Sequence, residues 1–78
     1  MGGGNNLVEL IEKESFQISL ASARVNAKLT QEEVARELKI NKLTVINWES
    51  DKTAPDIRMF RRLCKLYNIS GDNIFLPN

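Results

Sequence analysis

Residues 29–55, LTQEEVARELKINKLTVINWESDKTAP, decide how the chain folds. Thr30 followed three residues later by Glu33 is a capping box, in which the hydroxyl and the carboxylate each satisfy a backbone N–H that the first helical turn leaves free. Val34, Ala35 and Leu38 continue at helical spacing, so a helix is expected from Gln31 to Leu38. Lys39-Ile40-Asn41 is a three-residue connection, and Asn41 is a natural cap for a further helix from Lys42 to about Glu49. Two short helices joined so tightly cannot lie antiparallel; they cross steeply, and the second stands out as a rod. Ala35 is small where the two approach most closely, and Val45 and Trp48 turn inward. Lys42, Leu43, Thr44, Ile46 and Asn47 are left facing out.

The flanks complete an all-α pattern. Upstream, Ser19 caps a helix to about Ala27 with Leu20, Ala23 and Ala27 on one face. Downstream, Ser50 to Pro55 read as a loop, and Asp56 caps a helix whose Phe60, Leu63, Cys64 and Tyr67 share one face. Ser70 is expected to start a short fifth helix carrying Ile74 and Phe75, which Pro77 ends. There is neither strand-like alternation nor an internal repeat. The expected fold is a compact bundle of five helices around one core, occupying residues 19–76 between an N-terminal extension (1–18, in part without fixed structure) and a tail (77–78). In the extension, Gly2 to Gly4 lack the preceding strand and following Lys-Ser/Thr of a phosphate loop. Leu7, Val8, Leu10 and Ile11 form an apolar patch with no evident partner surface.

Composition narrows the function. With 42% hydrophobic and 27% charged residues, the chain has the balance of a folded globular domain, not of a disordered one. No apolar run approaches the roughly 20 residues that span a bilayer. Glu9, Glu12 and Glu14 interrupt what would have to be a secretory signal. A lone cysteine, Cys64, makes no internal disulfide, and the absence of histidine excludes the usual zinc sites and any histidine-based triad. No nucleophile–base pair stands out either. These features lead to the expectation of a cytoplasmic, non-enzymatic protein with no cofactor, metal, membrane or small-molecule partner.

The net charge of +1 hides an asymmetry. Residues 1–38 carry four basic and six acidic side chains, whereas Lys39, Lys42, Lys52, Arg58, Arg61, Arg62 and Lys65 face only Glu49, Asp51 and Asp56 over residues 39–65. That is either a basic face turned to a polyanion or a set of solvated helix surfaces; charge alone does not separate the two. The same holds for Arg58, Arg61 and Arg62, which either steer a polyanion or only solubilise. The protruding helix adds the discriminating feature. Its amide and ammonium groups are of the kind that bond to base edges in the major groove of DNA.

The quoted stretch resembles the helix-turn-helix of the Cro/CI-type (Xre-like) phage and bacterial repressors, in a lambda-repressor-like fold. The likeness rests on Gln31 at the start of the second helix, the spacing of the apolar positions, the Trp48-Glu49 pair, and Lys52 with Pro55 beyond. It extends from about Ser19 to Phe75. It departs at Lys39, where such repressors usually have glycine, and at Ser50-Asp51, where they often have Asn-Gly.

The resemblance implies base contacts from Asn41, Lys42, Leu43, Thr44 and Asn47, with Leu43 either meeting a thymine methyl or packing on a neighbour. It implies phosphate contacts from Gln31, Ser50, Lys52 and Thr53, and a structural ion pair between Arg24 and Glu49. A domain this small makes few phosphate contacts, so it is expected to bind a two-fold operator in double-stranded DNA as a homodimer. Ile74, Phe75 and Leu76 are the expected interface, unless Ile74 or Phe75 closes the core instead. The expected function is transcriptional regulation, most simply repression of phage, prophage or mobile-element type. The alternative is an antitoxin or interaction module that binds a toxin or another regulator.

Overall fold

The computed structural model describes residues 17–76. They form four α-helices, α1 (Leu20–Asn26), α2 (Gln31–Leu38), α3 (Lys42–Glu49) and α4 (Ile57–Tyr67), followed by one turn of 3-10 helix, Gly71–Asn73. Short polar side chains start three of the α-helices. Ser19 accepts from the Ser22 N–H, Asp56 from the Met59 N–H, and Thr30 and Glu33 make the reciprocal capping box. Asn41 holds the cap position of α3 but makes no side-chain capping bond. The expected amide cap is therefore absent, and α3 opens with its first N–H groups unoccupied by a side chain.

Each helix contributes one apolar stripe to a common core: Leu20 and Ala23 from α1, Val34, Ala35 and Leu38 from α2, Val45 and Trp48 from α3, Leu63 and Tyr67 from α4. Val34, Val45 and Leu63 are fully enclosed, each worth about 1.5–3 kcal/mol relative to exposure. Burial of Tyr67, together with the nearby Glu49 carboxylate, pushes its phenol up to about 12. The described residues leave no buried side-chain polar atom unpartnered.

All four helices end in the same way. Lys28, Lys39, Asp51 and Asn68 take left-handed backbone, with φ of 62°, 58°, 66° and 55°. The next N–H then reaches back to a carbonyl five residues earlier: Leu29 to Arg24 (3.2 Å), Ile40 to Ala35 (2.9 Å), Lys52 to Asn47 (3.0 Å) and Ile69 to Cys64 (3.0 Å). This is the Schellman arrangement, normally built on glycine. Leu29, Ile40 and Ile69 add its apolar contact by packing on the core. Asp and Asn tolerate the left-handed region, but a lysine Cβ costs about 1 kcal/mol there. Only part of that is regained on Lys39→Gly, because the extra freedom glycine gives the unfolded chain offsets the rest. A net gain of about 0.5 kcal/mol, read as a Tm rise of about 2–4 °C, is expected for Lys39→Gly. Lys39→Ala, which keeps the Cβ, should leave Tm nearly unchanged; a glycine variant no more stable than the alanine one would show that the turn is unstrained.

The fifth element differs from expectation. Helical geometry stops after a single 3-10 turn, in which the Ser70 hydroxyl accepts from the Asp72 N–H. Ile74 is extended and forms a parallel β-bridge with Ile18. The Ile18 N–H donates to the Asn73 carbonyl and the Phe75 N–H to the Ile18 carbonyl, both at 2.8 Å. Those bonds take up the backbone groups that a continuing helix would need, while Ile74 drops into the core at 3% exposure. Among the described residues the fold is all-α with four α-helices, and a single 3-10 turn stands where the fifth was expected. Of the segment read as an N-terminal extension, only Gln17 and Ile18 fall within the described residues; the patch from Leu7 to Ile11 and the tail at 77–78 lie outside them.

Candidate nucleic-acid interface

α2, the turn through Lys39 and Ile40, and α3 pack closely on one another. Val45 and Trp48 root α3 in the core, which turns Asn41, Lys42 and Leu43 outward as exposed residues, with Thr44, Ile46 and Asn47 half-buried beside them. Leu43 is 63% exposed, so most of its side chain is open to a partner. The Asn47 carbonyl receives the backbone N–H groups of Lys52 (3.0 Å) and Thr53 (3.3 Å), which ties the loop after α3 back to the helix. Lys52 and Thr53 are exposed in that loop. Ser50 is exposed too, but its hydroxyl donates to the Ile46 carbonyl at 2.9 Å, so it would have to release that bond to donate elsewhere.

The carboxylate of Glu49 is the hub that holds α1, α2 and α3 in register. Arg24 Nε donates to Oε2 at 2.7 Å and Nη2 to Oε1 at 3.2 Å, a two-pronged pair with side chains only 15% and 8% exposed. Arg24 Nη1 also ties the Leu29 carbonyl at 2.8 Å. The hydrogen bonding that Arg24 donates to Glu49 dominates in holding the guanidinium above its ordinary range, against the opposing effect of burial. Gln31, at the start of α2, donates Nε2 to Glu49 Oε1 at 2.9 Å. One N–H of the Gln31 amide thus braces α3, and the amide carries a second.

Lys42, expected only as a contact to bases, is partly committed. Its ammonium lies 3.8 Å from Glu32 in the first turn of α2, in an exposed pair. Sequence reading missed this pair because the two residues sit on different helices, where spacing carries no signal. The C-terminal trio is split by the fold. Ile74 belongs to the core and so cannot serve as a surface contact; Leu76 is half-buried and Phe75 is 52% exposed.

Two short helices crossing over a tight turn, the second rooted on one side and bare on the other, define a helix-turn-helix unit. The sequence pattern of the helix-turn-helix domain family matches residues 18–76, and the chain belongs to that family, one of DNA-binding transcription regulators. Comparison with curated proteins and with solved structures gives no match. Among the described residues, no helix is long and apolar enough to cross a membrane, and no cluster of His, Cys, Asp or Glu could hold a metal ion.

Proposed function

We propose that the protein is a sequence-specific regulator that reads double-stranded DNA with α3, acting as a repressor of Cro/CI type on a two-fold operator. The observation that carries this reading is the contrast between the two sides of α3. Val45, Trp48 and the Glu49 hub fix one side, and Asn41, Lys42, Leu43, Thr44 and Asn47 occupy the other. A rigidly mounted helix of this kind fits the major groove, where side chains can discriminate bases. Gln31 and the exposed Lys52 and Thr53 flank it, and in this reading they hold phosphates. A binding titration against a randomised duplex library at two salt concentrations tests the assignment; binding that follows salt alone, with no base preference, would overturn it.

Glu32 moderates the site in this reading. Glu32→Gln frees Lys42 and removes a carboxylate facing a polyanion, so duplex binding should tighten about two- to fivefold, the effect of an exposed pair worth up to about 1 kcal/mol. An unchanged affinity would separate Lys42 from the DNA contact.

Phe75 and the accessible part of Leu76 are proposed as a contact between two copies. Paired recognition helices would then stand about 34 Å apart, one turn of DNA. Sedimentation of the protein with a two-fold operator duplex should show two chains per duplex, and Phe75→Ser should reduce this to one. A single chain bound by the parent protein would refute the pairing.

A further inference from the structure

A cleft of about 1000 Å³ lies between α4 and the 3-10 turn. Ile57, Phe60 and Ile69 give it apolar walls, and Arg58, Arg61 and Lys65 surround them with positive charge. No acidic side chain is among the described residues that line it. Ile57 is 66% exposed and joins Phe60 and Ile69 in one contiguous apolar surface, the kind of patch that marks an interaction site. Gly71 permits the close approach of the turn to α4, since a Cβ there would stand 3.0 Å from the Phe60 ring. An apolar trough ringed by cations suits a segment that is both apolar and acidic.

The chain carries such a segment. Residues 7–14, LVELIEKE, interleave Leu7, Val8, Leu10 and Ile11 with Glu9, Glu12 and Glu14, against the single cation Lys13. The chain also enters the described fold at the rim of the cleft. Gln17 Nε2 donates to the Asp72 carbonyl at 3.4 Å and the Ile18 N–H to the Asn73 carbonyl at 2.8 Å, directly after Ser70 and Gly71, which line the cleft. From Glu14 to Gln17 the chain spans at most about 10 Å. So short a tether gives an effective concentration of about millimolar or higher, enough to populate a contact that would be weak between separate molecules.

We propose that residues 7–14 dock into the α4 cleft of their own chain, their aliphatic side chains on Ile57, Phe60 and Ile69 and their carboxylates among Arg58, Arg61 and Lys65. The docked segment covers the exposed isoleucine and neutralises a basic face that is separate from α3. The contact does not depend on the DNA-binding assignment.

Cys64 lines the cleft and is a free thiol, which supplies a native reporter. In the full chain, Leu10→Asp combined with Ile11→Asp should make Cys64 react with a thiol reagent about tenfold faster, the ratio for docking favoured by about 1.4 kcal/mol. Glu9→Lys combined with Glu12→Lys should do the same through charge. Amide NMR signals of residues 57–71 should move in both variants, while those of 31–49 stay in place and report that the helix-turn-helix remains folded. Equal Cys64 rates in the parent and both variants would overturn the proposal. Protection that rises with protein concentration would overturn it in favour of exchange of the segment between copies.

Discussion

Glu49→Ala is expected to destabilise the domain by about 3 kcal/mol, a Tm loss of about 12 °C or more. The size follows from what the carboxylate holds. It accepts from Arg24 Nε and Nη2 and from Gln31 Nε2 while only 8% exposed. Removing it strands a guanidinium that is itself 15% exposed and keeps only the Leu29 carbonyl as partner. Arg24→Ala strands the carboxylate instead, with the single amide of Gln31 left on it, and should cost a similar amount. When both are replaced by alanine, no uncompensated charge remains, so the double variant should lose less than the sum, by about 1–3 kcal/mol. Thermal or urea unfolding of the four proteins in a double-mutant cycle measures this. Plain additivity would mean that the two side chains do not act as a pair.

The second large effect concerns reading as distinct from holding. On the preferred duplex, Asn47→Ala is expected to cost about 1–3 kcal/mol and to relax preference at one base position, as loss of an amide bidentate to adenine would. The backbone carbonyl of Asn47 sets the Lys52–Thr53 loop, and that survives the substitution, so the loss is not a collapse of the loop. Lys42→Ala should also relax preference at one position, with a smaller loss of affinity because Glu32 already claims part of its charge. Lys52→Ala, in the exposed loop, should weaken all duplexes alike and lower the salt slope by about one unit. Titration of each variant against a randomised duplex library at two salt concentrations distinguishes these patterns. If Asn47→Ala and Lys42→Ala variants keep the parental sequence preference, α3 is not the reading helix.

What the sequence reveals and what it conceals divide along physical lines. Local signals set the helix starts. Ser19, the Thr30–Glu33 box and Asp56 each act on backbone a few residues away, so all three are legible from order alone. Asn41 marks a start equally well, yet position does not reveal whether an exposed amide bonds its own helix, and this one does not. The left-handed helix ends are half legible. Asn68 is a residue type that suits such backbone, and resemblance to repressors flags Lys39 and Asp51, but nothing about Lys28 announces it. Long-range pairings are the hardest. The isoleucine bridge joins residues from opposite ends of the described chain, and it truncated the fifth helix that local spacing favoured. In the candidate site, the outward residues of α3 followed from periodicity, and the Arg24–Glu49 pair from resemblance. The Lys42–Glu32 contact had no sequence signature at all.

The bridge between Ile18 and Ile74 also sets how the domain bears load. The pairing is parallel, so tension applied at Gln17 and Leu76 pulls the two partners in opposite directions along their common axis. Its two 2.8 Å hydrogen bonds are then sheared together instead of being peeled one after the other. Behind them sits Ile74, which can leave only by vacating the core. A helical domain usually frays from its termini inward. This one is latched where fraying would begin, and a pull on its ends meets the core before it meets a helix.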